Sequence, residues 1–265
     1  MNAAAPVPVR DPLRSCKEVD AARTLRAYAM EAKYEFVRIL RLPGFVLPFL
    51  LIPVALYLFF GIVLSSGAKD PKTGLYIFTA FCVLGVMGPG MFGFGVFVAT
   101  ERDQGLLTLK RALPIPAGSY LIAKMCMAVL FAALVMIVMI AAGAIIGHLP
   151  LSPARYAALA AVSLLGALPF CAIGLFIGTR ASGKSAPAFV NLIYLPMIYL
   201  SGFFFPLPES IRWIQFASPA FYVDQLALKA AGMAAWGTVP VHVAVLIGIT
   251  LLLGIAAIRR LARRG

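Results

Sequence analysis

The chain has 265 residues, 62% of them hydrophobic and only 12% charged, with a mean hydropathy of +0.95. A water-soluble domain carries about twice that share of charge, so soluble enzymes and soluble binding modules are excluded. The formal charge of +13 must then be read by its position along a membrane chain, not as a sign of nucleic acid.

Residues 1–19 mix Ala, Pro and Arg without a period and read as a disordered tail. They are polar and basic, so no removable signal peptide is expected and targeting falls to the first span. Over 20–42 a helical period appears: Leu25, Tyr28, Ala29, Ala32, Phe36, Ile39 and Leu40 recur at three- and four-residue steps, with Arg26, Lys33, Arg38 and Arg41 beside them. The expectation is an amphipathic interfacial helix, Phe36 in the acyl boundary and the cations among headgroups. Pro43 ends it and turns the chain into the first span.

Six apolar runs follow, at 42–68, 73–100, 125–154, 156–179, 185–208 and 230–258. Each exceeds the roughly 20 residues that cross about 30 Å of hydrocarbon. The fold class expected is an all-α polytopic membrane protein: six transmembrane helices over 43–260 and a basic tail at 261–265. With the N-terminus placed in the cytoplasm, eighteen of the 23 Lys and Arg fall on the cytoplasmic side, which puts both termini there.

Two loops carry more than a connection requires. The inner stretch 101–120 (ERDQGLLTLKRALPIPAGSY) has a charged cluster, a glycine and leucines, and reads as a short helix parallel to the membrane. The outer stretch 201–236 combines Pro206, Pro208 and Pro219 with many aromatics. It reads as short helices in the outer leaflet between spans five and six, because non-helical backbone at that depth must be covered by protein or line water.

Several strings imitate known sites. Residues 178–185 (GTRASGKS) match the phosphate-binding loop, but spans flank them where a strand and a nucleotide-binding domain are required, so Arg180 and Lys184 read as inside-positive anchors. Gly88, Gly90 and Gly93 fit dinucleotide-fingerprint spacing in mid-span, where close helix contact and a kink at Pro89 are the better reading. Ser201 and Gly202 with His242 resemble an intramembrane protease, except that the glycine expected two residues before the serine is Tyr199. Cys16, Cys82, Cys126 and Cys171 lack metal or disulfide spacing, and His148 and His242 read as interfacial residues. All ten acids are placed in tails or loops, which gives no basis for ion coupling through the spans.

Glu101, Arg102, Asp103 and Gly105, followed by Leu109 and Pro114, resemble the cytoplasmic loop of type-2 ABC exporter permeases. Ser201, Gly202, Pro206, Pro208, Trp213, Pro219, Tyr222 and Asp224 resemble that family's segment after the fifth span. Asp103 and Leu106 depart from it, standing where the family usually has Glu and Thr. The resemblance runs from about Tyr34 to Arg260. It implies a permease dimer joined mainly through spans one and five, above two separate ABC ATPase subunits.

The coupling contact would then be Glu101, Arg102, Asp103, Gly105, Leu106 and Leu107, the charges offered to the ATPase and the leucines plugging into it. The chain itself would bind no cofactor or metal, ATP and Mg entering through the partner. The expected function is ATP-driven export of an amphipathic or hydrophobic molecule, such as a drug, natural product, lipid or glycan, across a bacterial inner membrane. Tyr57, Phe78, Asn191, Tyr194, Tyr199, Phe203 and Phe204 are candidate path residues, Asn191 because a lone amide in a span needs a partner. The alternative is a non-transporting membrane scaffold.

Overall fold

The computed structural model describes residues 21–64, 71–112, 119–203 and 208–264. The tail 1–19 with Cys16, and Pro114, Phe204 and Pro206, lie outside them. All regular structure among the described residues is helical.

Helix α1 (Ala21–Leu40) forms over the predicted amphipathic stretch. Its stripe divides: Glu35 and Ile39 are buried and Phe36 packs against the core, while Leu25 and Leu40 stay exposed. The C-terminal half of the helix therefore lies against protein along the Glu35, Phe36 and Ile39 face and leaves its other face open.

Pro43 opens α2 (Pro43–Leu56), where its missing N–H is no loss. Pro48 and Pro53 inside α2 each remove a ladder donor, and the helix continues as a wider π-type turn over Tyr57–Leu64.

The axis of the bundle is α3 (Pro71–Asp103). Apolar on all sides, it is buried at every position from 78 to 91. Its 33 residues extend about 50 Å, beyond the roughly 30 Å hydrocarbon layer, so its charged end reaches past the membrane interior. Gly105, at φ +74°, turns the chain into α4 (Leu106–Ala112).

Three elements complete the middle of the chain: α5 (Ser119–Ala141) with a π-turn at Ala142–Ile146, α6 (Pro153–Gly178) and α7 (Ala186–Leu200). Helices α3 and α6 approach until backbones touch. A Cβ on Gly174 would stand 2.5 Å from the Met91 carbonyl oxygen, and one on Gly178 would stand 2.7 Å from that of Phe94. Gly90, from the dinucleotide look-alike, faces the same seam, 3.2 Å from the Ala167 oxygen by the same measure. Gly174→Val is expected to cost about 1–3 kcal/mol through forced helix separation, read as a lower Tm in detergent. Gly254→Val, facing open space, is expected to leave Tm unchanged.

Among the described residues, five helical segments are long and apolar enough to cross a bilayer: Pro43–Leu64, Lys72–Asp103, Tyr120–Ile146, Pro153–Gly178 and Val239–Leu261. The fifth predicted run is shorter, because α7 stops at Leu200 and Gly202, at φ +80°, ends the helix. A 3₁₀ helix (Glu209–Ala217), α8 (Pro219–Ala230) and α9 (Val239–Arg264) follow.

Helix α8 is sunk among α3, α6 and α9, so the expectation that every acid lies in a tail or loop fails at Asp224, only 1% exposed. The apolar residues around it, from Pro219 to Val223, carry the carboxyl inward. His242, read as interfacial, is likewise buried, with its Nε2 2.7 Å from the Trp236 carbonyl oxygen.

Candidate functional site

The last turn of α3 brings Glu101 to α1 and α5. On α5, Tyr120 and Lys124 stand one turn apart on the face that meets it; on α1, Glu35 and Arg38 are three residues apart and also converge. Tyr120 donates its hydroxyl to one Glu101 oxygen at 2.5 Å. Lys124 Nζ donates to the other at 2.7 Å and to Glu35 Oε2 at 3.2 Å. Arg38 also bonds Glu101 and lies 3.6 Å from Glu35. Two acids thus face two bases, and Lys124 is wholly buried.

Burial is the largest influence on Arg38 and opposes its charge, but the bond to Glu101 together with the negative charges of Glu101 and Glu35 outweighs it and holds its pKa above the ordinary value. Lys124 belongs to α5, which begins at Ser119, ahead of the apolar run predicted at 125–154. Glu101 is 2% exposed, so its carboxylate is used within the chain instead of being offered to a partner.

Beside this cluster, α3 grips the connection between α6 and α7. Arg102 donates to the carbonyl oxygens of Gly178 at 3.2 Å and Ala181 at 2.8 Å, and Asp103 Oδ2 accepts the Gly183 N–H at 2.7 Å. From α9, Arg260 donates to Thr179 O at 3.2 Å. The phosphate-loop look-alike is thus a helix-to-helix connection whose Gly183 N–H already holds a carboxylate. A Cβ at Gly183 would stand 2.9 Å from Thr100 Cα, which accounts for that glycine by close approach. Lys184 is exposed.

Beyond the grip, Gln104, Gly105, Leu106 and Thr108 are exposed, and Leu109 is 65% exposed. Leu107 turns inward against a second apolar cluster with Phe94 and Tyr120. The outward apolar pair is therefore Leu106 and Leu109, one turn apart.

Of the interfacial residues, Arg26, Lys33 and Arg41 are exposed, while Phe36 and Arg38 engage the bundle.

The path candidates do not come together. Tyr57 and Phe78 stack edge-on at 5.1 Å inside the core, and Phe203 is buried. Tyr194 packs against Phe92 at 5.5 Å, whereas Asn191 and Tyr199 are exposed on α7.

In the outer segment, Ser201 Oγ lies 2.6 Å from Met197 O and 2.7 Å from Ser218 Oγ, so it pairs with the start of α8 and not with His242. Pro208 caps the 3₁₀ helix, Trp213 is exposed, Pro219 starts α8, and Tyr222 donates to Phe216 O at 2.9 Å. Burial alone pushes the Asp224 carboxyl up to about 8.

Sequence reasoning missed Glu35, Tyr120, Lys124 and Arg260 as members of this site, and it placed Leu109 in the loop motif without assigning it to the contact. One signal existed: Glu35 sits in the apolar stripe of α1 between Ala32 and Ile39, where an acid must find a buried partner.

Residues 28–230 match the family model described as "ABC-2 type transporter". The chain is also 29% identical over 216 residues to "Putative transport permease YvfS" of Bacillus subtilis (strain 168), an alignment covering 79% of this chain and 88% of the relative.

Proposed function

We propose, from the premise that the chain belongs to the ABC-2 type transporter family and is a multi-pass transport permease subunit, that it exports an amphipathic or hydrophobic molecule with energy from a separate ABC ATPase. The observation that carries this reading is the exposed Gln104 to Leu109 edge, attached to the bundle by buried charge. Leu106 and Leu109 offer an apolar knob, and Asp103 and Gln104 supply its polar rim. ATP and Mg belong to the partner in this reading, and the chain holds no ATPase site of its own.

Force on α4 passes by two routes. Arg102 and Asp103 carry it into the 179–183 connection, and so to α6, α7 and α9. Glu101 carries it into α1 and α5. Elements tied at this many points move as one body between discrete states.

Two copies would join through α2 and α7, in a bacterial inner membrane with both termini cytoplasmic. Exposed Leu47, Leu51 and Ile52 on α2, and Phe189, Leu192 and Tyr199 on α7, support that interface. Asn191 supports it further, since an exposed amide at membrane depth finds a partner only against a second chain or a water-lined path.

Reconstitution into vesicles with the ATPase tests the reading. Leu106→Asp with Leu109→Asp is expected to abolish ATPase copurification and ATP-driven export while membrane insertion stays normal. Export by that variant at the parental rate, or export without any ATPase, would refute it.

A further inference from the structure

Between α6, α8 and α9 runs a groove of about 460 Å³, on the half of the bundle remote from α1. Val162 and Gly166 form one wall, Val223 and Leu226 the floor, and Val243 and Leu246 the other wall. Thr250 is the one hydroxyl there, and it already donates to Leu246 O at 2.7 Å. The groove opens sideways past Leu165, Ile247 and Leu251, which are 68%, 53% and 56% exposed. Because α6 and α9 both span the membrane, that mouth faces hydrocarbon, not water. An empty apolar groove forfeits contacts along its whole lining, and no buried polar group recruits water into it.

Two cations stand above the groove. Arg155 is seven residues before Val162 on α6, about 10 Å along the axis. Its guanidinium lies against Gly232, where a Cβ would come within 2.5 Å of Cζ. Lys229 is one turn beyond Leu226 on α8, and its ammonium bonds the Gly237 carbonyl oxygen beside the start of α9. Neither cation has a carboxylate partner among the described residues. Paired cations one to two turns above an apolar slot reproduce the layout of a phospholipid, with phosphate above and hydrocarbon below.

We propose that this groove holds one acyl chain of an anionic phospholipid whose phosphate sits on Arg155 and Lys229. It is a resident of the bundle, wedging α6, α8 and α9, and is separate from the cargo. The leaflet it occupies is the outer one if the termini are cytoplasmic; the site itself does not depend on that orientation or on export.

The test uses the full chain in nanodiscs of equal phosphatidylglycerol and phosphatidylcholine, followed by native mass spectrometry, with no ATPase or ATP present. One phosphatidylglycerol per chain is expected to survive transfer to the gas phase. Arg155→Gln with Lys229→Gln is expected to reduce its retention about tenfold. Ile247→Trp, at the exposed mouth, is expected to expel it while leaving both cations in place. Equal retention of the two lipids, retention unchanged by Ile247→Trp, or no retained lipid would each overturn the site. Export measured separately in vesicles tells failure of this inference apart from failure of the transport reading.

Discussion

Glu101→Ala lowers stability by about 3–5 kcal/mol, the cost of leaving one member of a buried ion pair without its partner. Lys124 has no exposure, and after the substitution it keeps only Glu35 at 3.2 Å, while the buried Tyr120 hydroxyl loses its acceptor. Arg38, with a 44% exposed side chain, can turn to solvent, so most of the penalty falls on Lys124. Thermal melting in detergent reads the loss, and limited proteolysis reads its location as earlier cleavage in α1. Adding Lys124→Met to Glu101→Gln is expected to recover most of the stability, because replacing both charges removes the stranded one. A Glu101→Ala protein that melts with the parent would mean the cluster does not hold α1 to α3 and α5.

The second large effect has the opposite sign. Asp224→Asn is expected to stabilise the protein, and the gain should depend on pH. In the folded chain burial raises the carboxyl from its ordinary 3.8 to about 8, so it stays protonated in the native state across a range where the unfolded chain has released the proton. The native state binds the extra proton, and stability falls as pH rises from about 4 to 8 and is level above that. Asparagine keeps the shape and the weak 3.5 Å contact with Gln225 without that slope. The variant should match the parent near pH 4 and exceed it by on the order of 4 kcal/mol at pH 7. Equal melting profiles across the range would show that Asp224 ionises freely.

Much of the bundle was legible because hydrocarbon imposes a coarse rule: long runs without charge become spans, as the run at 73–100 does in α3. Less visible was how far helices continue beyond those runs. Hydropathy stops at Thr100 and restarts at Met125, yet α3 continues to Asp103 and α5 begins at Ser119, so the charges counted as loop are helical and face one another. A single-residue scale also cannot see that Asp224 is carried inward by Phe221 and Val223. The loop motif does not reveal which of its side chains face outward: Glu101 points inward from the end of α3, and Leu107 points inward while Leu109 is exposed, a distinction that appears only once α4 has a fixed rotation.

The partners of α1 also set an order on synthesis. Glu35 and Arg38 emerge early, but Lys124 lies 89 residues after Glu35, and Glu101 lies 63 after Arg38. Through the making of two spans, α1 lacks these partners, and its cations Arg26, Lys33 and Arg38, with Arg41 just after it, suit it to rest on the membrane surface. It can lock only when α5 has entered the bilayer and delivered Lys124. The buried cluster is therefore a long-range closure, complete only after α2, α3 and the start of α5 have all been made.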